Sequence, residues 1–367
     1  MDHDLVDFLQ LVLENGGSDL HISVGAPPQV RINGVLHGLG EEIIDGPTAK
    51  DLIFAVLRET QRANLERDLE LDFALQIENV GRFRGNAHYS QGNVEASFRY
   101  IPQDIPDLST LGHYPVIEEF CHLHEGLVLV TGVTGSGKST TLAAMAKRIS
   151  EQRSGVIVTI EDPIEFVFQH TSGSIIKQRQ IGLDTHSFPT ALKSAMRQDP
   201  DVIVVSEIRD LETIQVALTA AETGHLVIST VHTVDAPKSI DRLVDVFPPE
   251  QQQQIASQLS TTLVGVVSQQ LLKSDGEDGK RCLLSEVMKV NAGIGTCIRE
   301  RKLEQVLGLM EIGQASGMHT RDHCLVELAA GGKIALATAL DHCRDQEFVT
   351  NNYKIALKKQ KKPFWSW

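Results

Sequence analysis

Residues 132–141 read "GVTGSGKSTT", a stretch of glycines and hydroxyls with one valine and one lysine behind the apolar run "GLVLV". Such residues make a poor helix or strand interior. They do suit a turn that must expose backbone N–H groups. Gly132, Gly137, Lys138 and Ser139 complete the pattern G-x-x-x-x-G-K-[ST] between a predicted strand and a predicted helix. Glycines let successive N–H groups curl inward as an anion nest, and the helix N-terminus adds its positive dipole end. Gly132, Thr134, Gly135, Ser136, Gly137, Lys138, Ser139 and Thr140 are therefore assigned to phosphate binding. Lys138 is placed to reach the β- and γ-phosphates, and the Ser139 hydroxyl to ligate Mg2+. This is a nucleotide site.

Carboxylates follow other apolar runs. "DPDVIVVSEIRD" ends a strand at Glu207, where an acid can hold the Mg2+ shell or polarise a water. "VIVTIEDPIEF" offers Glu161, Asp162 and Glu165 after another strand, at the end of a parallel sheet where open α/β folds bind ligands. The bland alternative for these acids is helix capping around Pro163. "GHLVISTVHT" carries His225 and His232. If it is a strand they stand about 23 Å apart at ~3.3 Å per residue, too far to share a metal. His232, at the far end beside Thr230 and Thr233, is better placed to sense a γ-phosphate. In "GRFRGN", Arg82 and Arg84 are two apart and point the same way on a strand, with Arg99 on the next. They either await an anionic partner or pair with acids of their own domain such as Glu78 or Glu95.

The elements that position these residues divide at a linker. The chain has 367 residues, enough for two domains. Residues 1–100 read as mixed α/β: a helix in "DLVDFLQLVLENG", strands in "DLHISV" and "PQVRING" with Asn33-Gly34 as a turn, a helical stretch at 49–70, then two strands joined at Gln91-Gly92. Residues 101–116, with Pro102, Pro106 and Pro115, form the linker. In 117–367 the unbroken apolar runs "LVLVT", "VIVTI", "VIVVS" and "LVISTV" predict a largely parallel sheet covered by helices. After about residue 250 the pattern reads as helical almost throughout, "QQQQIASQLSTTLVGVVSQQLL" included, with "RCLLSEVMKV" as an edge strand. Five scattered cysteines without a Cys-x-x-Cys pair exclude a four-cysteine zinc site. A net charge of −14 argues against direct nucleic-acid binding. No apolar run approaches the ~18 residues of a membrane span, so a cytoplasmic protein is expected. The one dense basic cluster is the tail "KKQKKPFWSW", with Trp365 and Trp367, read as a solvated end or an anchor to an anionic membrane surface.

Taken together, "GGSDLHIS", "GRFRGNA", "GVTGSGKSTT", "TIEDPIEF", "RQDPDVIVVSEIRD", "GHLVISTVHT", "DRLVDVFP" and "SGMHTRDHCLVEL" resemble, in order, the secretion-type hexameric ATPases. The resemblance is closest to the type IV pilus retraction ATPases. It implies a PAS-like N-terminal α/β domain, a RecA-like ATPase domain with a helical C-terminal region, and a homohexamer binding ATP and Mg2+ between subunits. It implies Glu165 as the catalytic carboxylate, Glu207 as the Walker B acid, and His232 as the His-box residue. Arg82, Arg84 and Arg99 would face a nucleotide. Its implied partners are an inner-membrane pilus platform protein, at that membrane's cytoplasmic face, and a paralogous retraction ATPase. Two departures stand out. Ser206 precedes Glu207 where the family usually has Gly, and "GIGTCIRE" (293–300) replaces the retraction motors' "AIRNLIRE". A main motor and an accessory paralogue both remain open, as do a related secretion or DNA-uptake ATPase and a non-hydrolysing regulatory subunit.

Overall fold

A computed structural model describes residues 4–32, 34–101, 104–275 and 281–360. Asn33, Pro102 and the end of the basic tail (Lys361, Lys362, Trp365 and Trp367) lie outside them. The chain divides into two compact units, Met1–Asp104 with Pro163–Val167, and Ile105–Asp162 with Phe168–Trp367.

The first unit starts with α1 (Leu5–Glu14), which Asp4 and Asp7 cap reciprocally, at 2.9 and 3.1 Å. Its buried stripe is Leu5, Phe8, Leu9 and Val12. Strands β1 (Asp19–Ile22), β2 (Gln29–Ile32) and β3 (Val35–Gly38) follow, then α2 (Gly46–Val56) and α3 (Glu59–Asp68). The helical stretch expected at 49–70 is broken where Leu57 turns extended. β4 (Glu70–Ile77), β5 (Gly81–Ser90) and β6 (Asn93–Ile101) complete an antiparallel sheet of order β3-β2-β1-β6-β5-β4. β4 escaped the sequence analysis. On β5, Phe83, Gly85 and Ala87 face the core while Arg82 and Arg84 face away. Gly85 is required by contact: a Cβ there would come within 2.4 Å of the Phe73 ring.

The second unit opens with a 3-10 turn (Leu108–Leu111) and α4 (Val116–Cys121). β7 (Gly126–Thr131) leads into α5 (Lys138–Gln152), then β8 (Gly155–Glu161), β9 (Ser174–Gln180) and α6 (Phe188–Ala195). β10 (Val202–Val205), α7 (Leu211–Glu222), β11 (Leu226–Val231), α8 (Ala236–Asp245) and α9 (Pro249–Thr262) come next. β12 (Leu263–Lys273) and β13 (Arg281–Lys289) close the sheet, and α10 (Ala292–Arg299), α11 (Val306–Ile312), α12 (Arg321–Ala330), α13 (Leu336–His342) and α14 (Gln346–Gln360) follow. The sheet order is β13-β12-β7-β11-β10-β8-β9, parallel except for β13. β7, β10 and β11 are buried along their whole length, as unbroken apolar runs require.

One expectation fails here. The helix read through residue 272 stops at Thr262, and "LVGVVSQQLLK" is strand β12, paired with both β7 and β13. Val264, Val266 and Val267 lose rotamer freedom in a helix and pack well on a pleated surface. Gly265 admits the Phe120 ring, which lies 2.3 Å from where its Cβ would be. The edge strand read in "RCLLSEVMKV" is β13.

Buried polar groups fasten the C-terminal helices to this sheet. Glu286 on β13 accepts from the backbone N–H groups of Ala236 and Arg321, both at 3.2 Å, and from the Arg344 guanidinium. His319 is buried and His113 half-buried with its Nδ1 sealed from solvent, and desolvation lowers both imidazoles from 6.5 to about 4. His319 stacks on Tyr114, ring centroids 3.5 Å apart. Both imidazoles are neutral in either state above pH 6.5. Below it only the unfolded chain gains the protons, so stability is expected to fall from pH 6.5 towards 4, by roughly 3 kcal/mol per histidine at the bottom. Urea midpoints at pH 7 and 5 check this. His113→Gln and His319→Gln should flatten the decline, and an unchanged slope would refute the assignment.

Candidate active site

The glycine-rich loop assigned to phosphate binding lies between β7 and α5, the strand-to-helix position expected from its sequence. Gly132, Gly135 and Gly137 take φ values of 149°, 79° and 86°, open to glycine and strained for other residues. A Cβ on Gly132 would meet the Gln269 carbonyl oxygen at 2.3 Å and the Ser136 Oγ at 2.4 Å, so the cradle is as narrow as a side-chain-free backbone permits. The Ser136 Oγ is buried with no hydrogen-bond partner among the described residues. Lys138, 8% exposed, extends its ammonium across the loop to the carbonyls of Gly132 (2.8 Å) and Val133 (3.1 Å). Thr134, Gly135 and Ser139 are exposed at the rim. A glycine cradle, an orphaned hydroxyl and a folded-back ammonium fit a bound polyphosphate.

Glu207 and His232 follow the neighbouring strands β10 and β11 at the same carboxyl edge. The β11 hydroxyls pin the turn that carries Glu207: Ser229 Oγ donates to the Val205 carbonyl (2.8 Å) and Thr230 Oγ1 to the Ser206 carbonyl (2.6 Å). The Ile208 N–H then donates to the Thr230 carbonyl at 3.0 Å, extending the pairing beyond the strand. This leaves the Glu207 carboxylate, 16% exposed, 3.4 Å from His232 Nε2 and 2.7 Å from Arg209 Nη2. The sequence analysis paired neither residue with Glu207. Arg209 is two residues along the same segment, whereas the approach of His232 depends on the parallel register of β10 and β11, which the motif does not carry. Glu161 is engaged by the Thr159 hydroxyl (2.6 Å) and the Gln178 amide (3.0 Å).

Glu165, half-buried, belongs with the first unit, as do Arg82, Arg84 and Arg99. Arg84 and Arg99 are directly opposite in the β5–β6 register. Arg99 donates Nε to Asp19 Oδ1 at 2.8 Å, so its acidic partner is neither Glu78 nor Glu95. Burial opposes ionisation of Asp19, but the Ser18 hydroxyl and Arg99 overcome it and hold the carboxyl below its ordinary value. Glu95 instead accepts the Val24 N–H at 3.2 Å.

Three further residues received no role from the sequence: Gln269 and His113 lie outside every motif, and Thr141 just past the last fixed motif position. Gln269 on β12 donates its amide to the Ser136 carbonyl (2.8 Å) and accepts from Thr141 (3.1 Å), and Thr141 also contacts His113 Nε2 (3.0 Å).

Known proteins resemble this chain. The type II/IV secretion system protein family model matches residues 4–351. The type IV pilus retraction ATPase PilT of Pseudomonas aeruginosa is 42% identical, over 94% of this chain and 99% of its own. The type IV pilus ATPase PilU of the same organism is 36% identical, over 95% and 90%. A crystal structure of the pilus retraction motor PilT with bound ADP superposes with a TM-score of 0.89 at 43% identity, covering 94% of this chain and 98% of that one. With its phosphate loop, its carboxylate-bearing parallel sheet and a match along nearly its whole length, the chain belongs to the type II/IV secretion system protein family.

Proposed function

We propose that this chain hydrolyses ATP to power type IV pilus retraction. In this reading it works with Mg2+ as a homohexameric ring, against a platform protein at the cytoplasmic face of the inner membrane. The loop at 132–138 supports this reading: its buried Lys138 ammonium lies at the same end of the sheet as the Glu207–His232 pair. Lys138 would exchange its two carbonyl partners for β- and γ-phosphate oxygens, and the exposed Ser139 hydroxyl would turn to Mg2+. Bound Mg2+ would neutralise charge on the phosphate oxygens. Glu207 would orient the cation's water shell, His232 would follow the γ-phosphate through Glu207, and Glu165 would orient the attacking water. Arg82, Arg84 and Arg99 would supply positive charge. Among the described residues no helix is long and apolar enough to cross a membrane, which fits a peripheral position.

An accessory role beside a paralogous retraction ATPase is favoured by one feature. α10 replaces the motors' "AIRNLIRE" and carries two helix-weakening glycines, Gly293 and Gly295. Gly295 packs so close to α9 that a Cβ would lie 3.0 Å from the Ser260 carbonyl.

Glu165→Gln and Glu207→Gln divide the carboxylate roles. Each keeps the side chain's shape and loses its charge, so each is expected to bind ATP normally and slow turnover by about 10²-fold or more. Only Glu207→Gln should also raise the Mg2+ concentration needed. Measuring nucleotide affinity and turnover separately decides the matter. Normal hydrolysis by Glu165→Gln beside a dead Glu207→Gln would reverse the assignment.

A further inference from the structure

We propose that Gln269, together with Thr141 and His113, is a positioning residue for the phosphate loop, holding its curve through a one-way chain of hydrogen bonds. The proposal rests on the phosphate-binding reading of residues 132–139. Gln269 is 5% exposed on β12, and its Nε2 lies 2.8 Å from the Ser136 carbonyl. A carbonyl only accepts, so this contact fixes which end of the amide is nitrogen. Oε1 must then face Thr141, whose hydroxyl donates to it at 3.1 Å. Thr141 has a single hydroxyl proton, and that bond uses it. At its second contact, 3.0 Å from His113 Nε2, Thr141 Oγ1 can only accept. His113 is therefore the Nε2–H tautomer. Its Nδ1 is the bare nitrogen, buried with no partner among the described residues. Burial also keeps the ring neutral at physiological pH. Every donor in the series points towards the loop, from His113 to Thr141 to Gln269 to the Ser136 carbonyl, an arrangement in which each bond polarises the next.

The loop has a physical need for such a hold. Ser136 stands between Gly135 and Gly137, both at positive φ, and glycines cross between backbone regions at little cost. The nest that faces an anion exists only while the peptide planes on either side of Ser136 keep one orientation. Within the loop, the Ser136 N–H reaches the Val133 carbonyl at 3.2 Å. The Gln269 amide fixes the other side of that residue. The backbone of Gln269 acts at the loop's start, where its carbonyl oxygen occupies the space a Cβ on Gly132 would need. One residue of β12 thus sets both ends of the loop. His113 anchors the series in the segment that precedes α4.

The test uses the full chain, with Kd for fluorescently labelled ADP and for ATP, kcat and KM, and nucleotide-free melting temperature. Gln269→Leu keeps the bulk of the side chain and removes both bonds. It should weaken ADP and ATP alike by about tenfold and raise KM to match, while kcat stays within about threefold, because the loop grips phosphates common to both nucleotides. Thr141→Val should weaken both by about threefold or more, and Thr141→Ser, which keeps the hydroxyl, should match wild type. His113→Gln, whose amide nitrogen can stand where Nε2 stands, should rescue the loss seen in His113→Leu. ADP binding within about twofold of wild type in both Gln269→Leu and Thr141→Val would overturn the proposal. If Gln269→Leu does not fold, equal ADP affinities in Thr141→Val and Thr141→Ser overturn it. A Lys138→Ala chain that binds ATP as wild type does would overturn the phosphate-loop reading itself, and the proposal with it.

Discussion

A Lys138→Ala chain is expected to turn over ATP at no more than about a hundredth of the wild-type rate, and to stay folded. Phosphoryl transfer depends on positive charge held where negative charge develops, and one such group is worth ~10²–10³-fold when removed. Lys138 is the loop's only cation, and its ammonium already sits inside the curve, 2.8 Å from the Gly132 carbonyl. Alanine also leaves the Gly132 and Val133 carbonyls without this donor, at a cost of about 1–3 kcal/mol. A melting temperature lower by several degrees should therefore accompany the lost activity. Turnover and melting on the same preparation check both. Activity within a few-fold of wild type would place the nucleotide elsewhere.

Arg84→Ala is expected to lose nearly all turnover without losing stability. Arg84 is exposed on β5 and stands opposite Arg99, so two like charges share a cross-strand pair, which destabilises a sheet. Asp19 relieves Arg99. Removing Arg84 should leave the melting temperature unchanged or slightly higher, which is the mark of a residue kept for a partner. An arginine acting on a γ-phosphate is worth ~10³-fold or more in phosphoryl transfer. If it acts on a neighbouring subunit's nucleotide, mixing Arg84→Ala with Lys138→Ala chains should restore part of the turnover. Some interfaces then hold an intact Lys138 on one side and an intact Arg84 on the other. Full activity of Arg84→Ala alone, with Arg82→Ala and Arg99→Ala equally active, would remove the arginines from the mechanism.

Local patterns announced the phosphate loop and the four apolar strands, because a glycine-rich turn and an unbroken β-branched run are dictated by the backbone itself. β12 was misread because a glutamine-rich helix runs into it without a breaker. The boundary at Thr262–Leu263 shows only in the valines that follow. β4 was missed because its apolar positions continue a helical stretch. The Glu207–His232 approach depends on parallel register, and the Arg99–Asp19 bond spans 80 residues of sequence. Gln269 is the clearest case. A glutamine in a strand carries no signal of its own, and its role arises only because β12 pairs with β7, the strand that leads into the loop.

If ATP hydrolysis at this site retracts pili, surface twitching depends on it. In the host strain, deletion of the gene should abolish surface twitching, the wild-type chain should restore it, and the Lys138→Ala chain, expressed to the same level, should not. A deletion strain that twitches normally, or full rescue by Lys138→Ala, would show that hydrolysis at this site does not drive retraction.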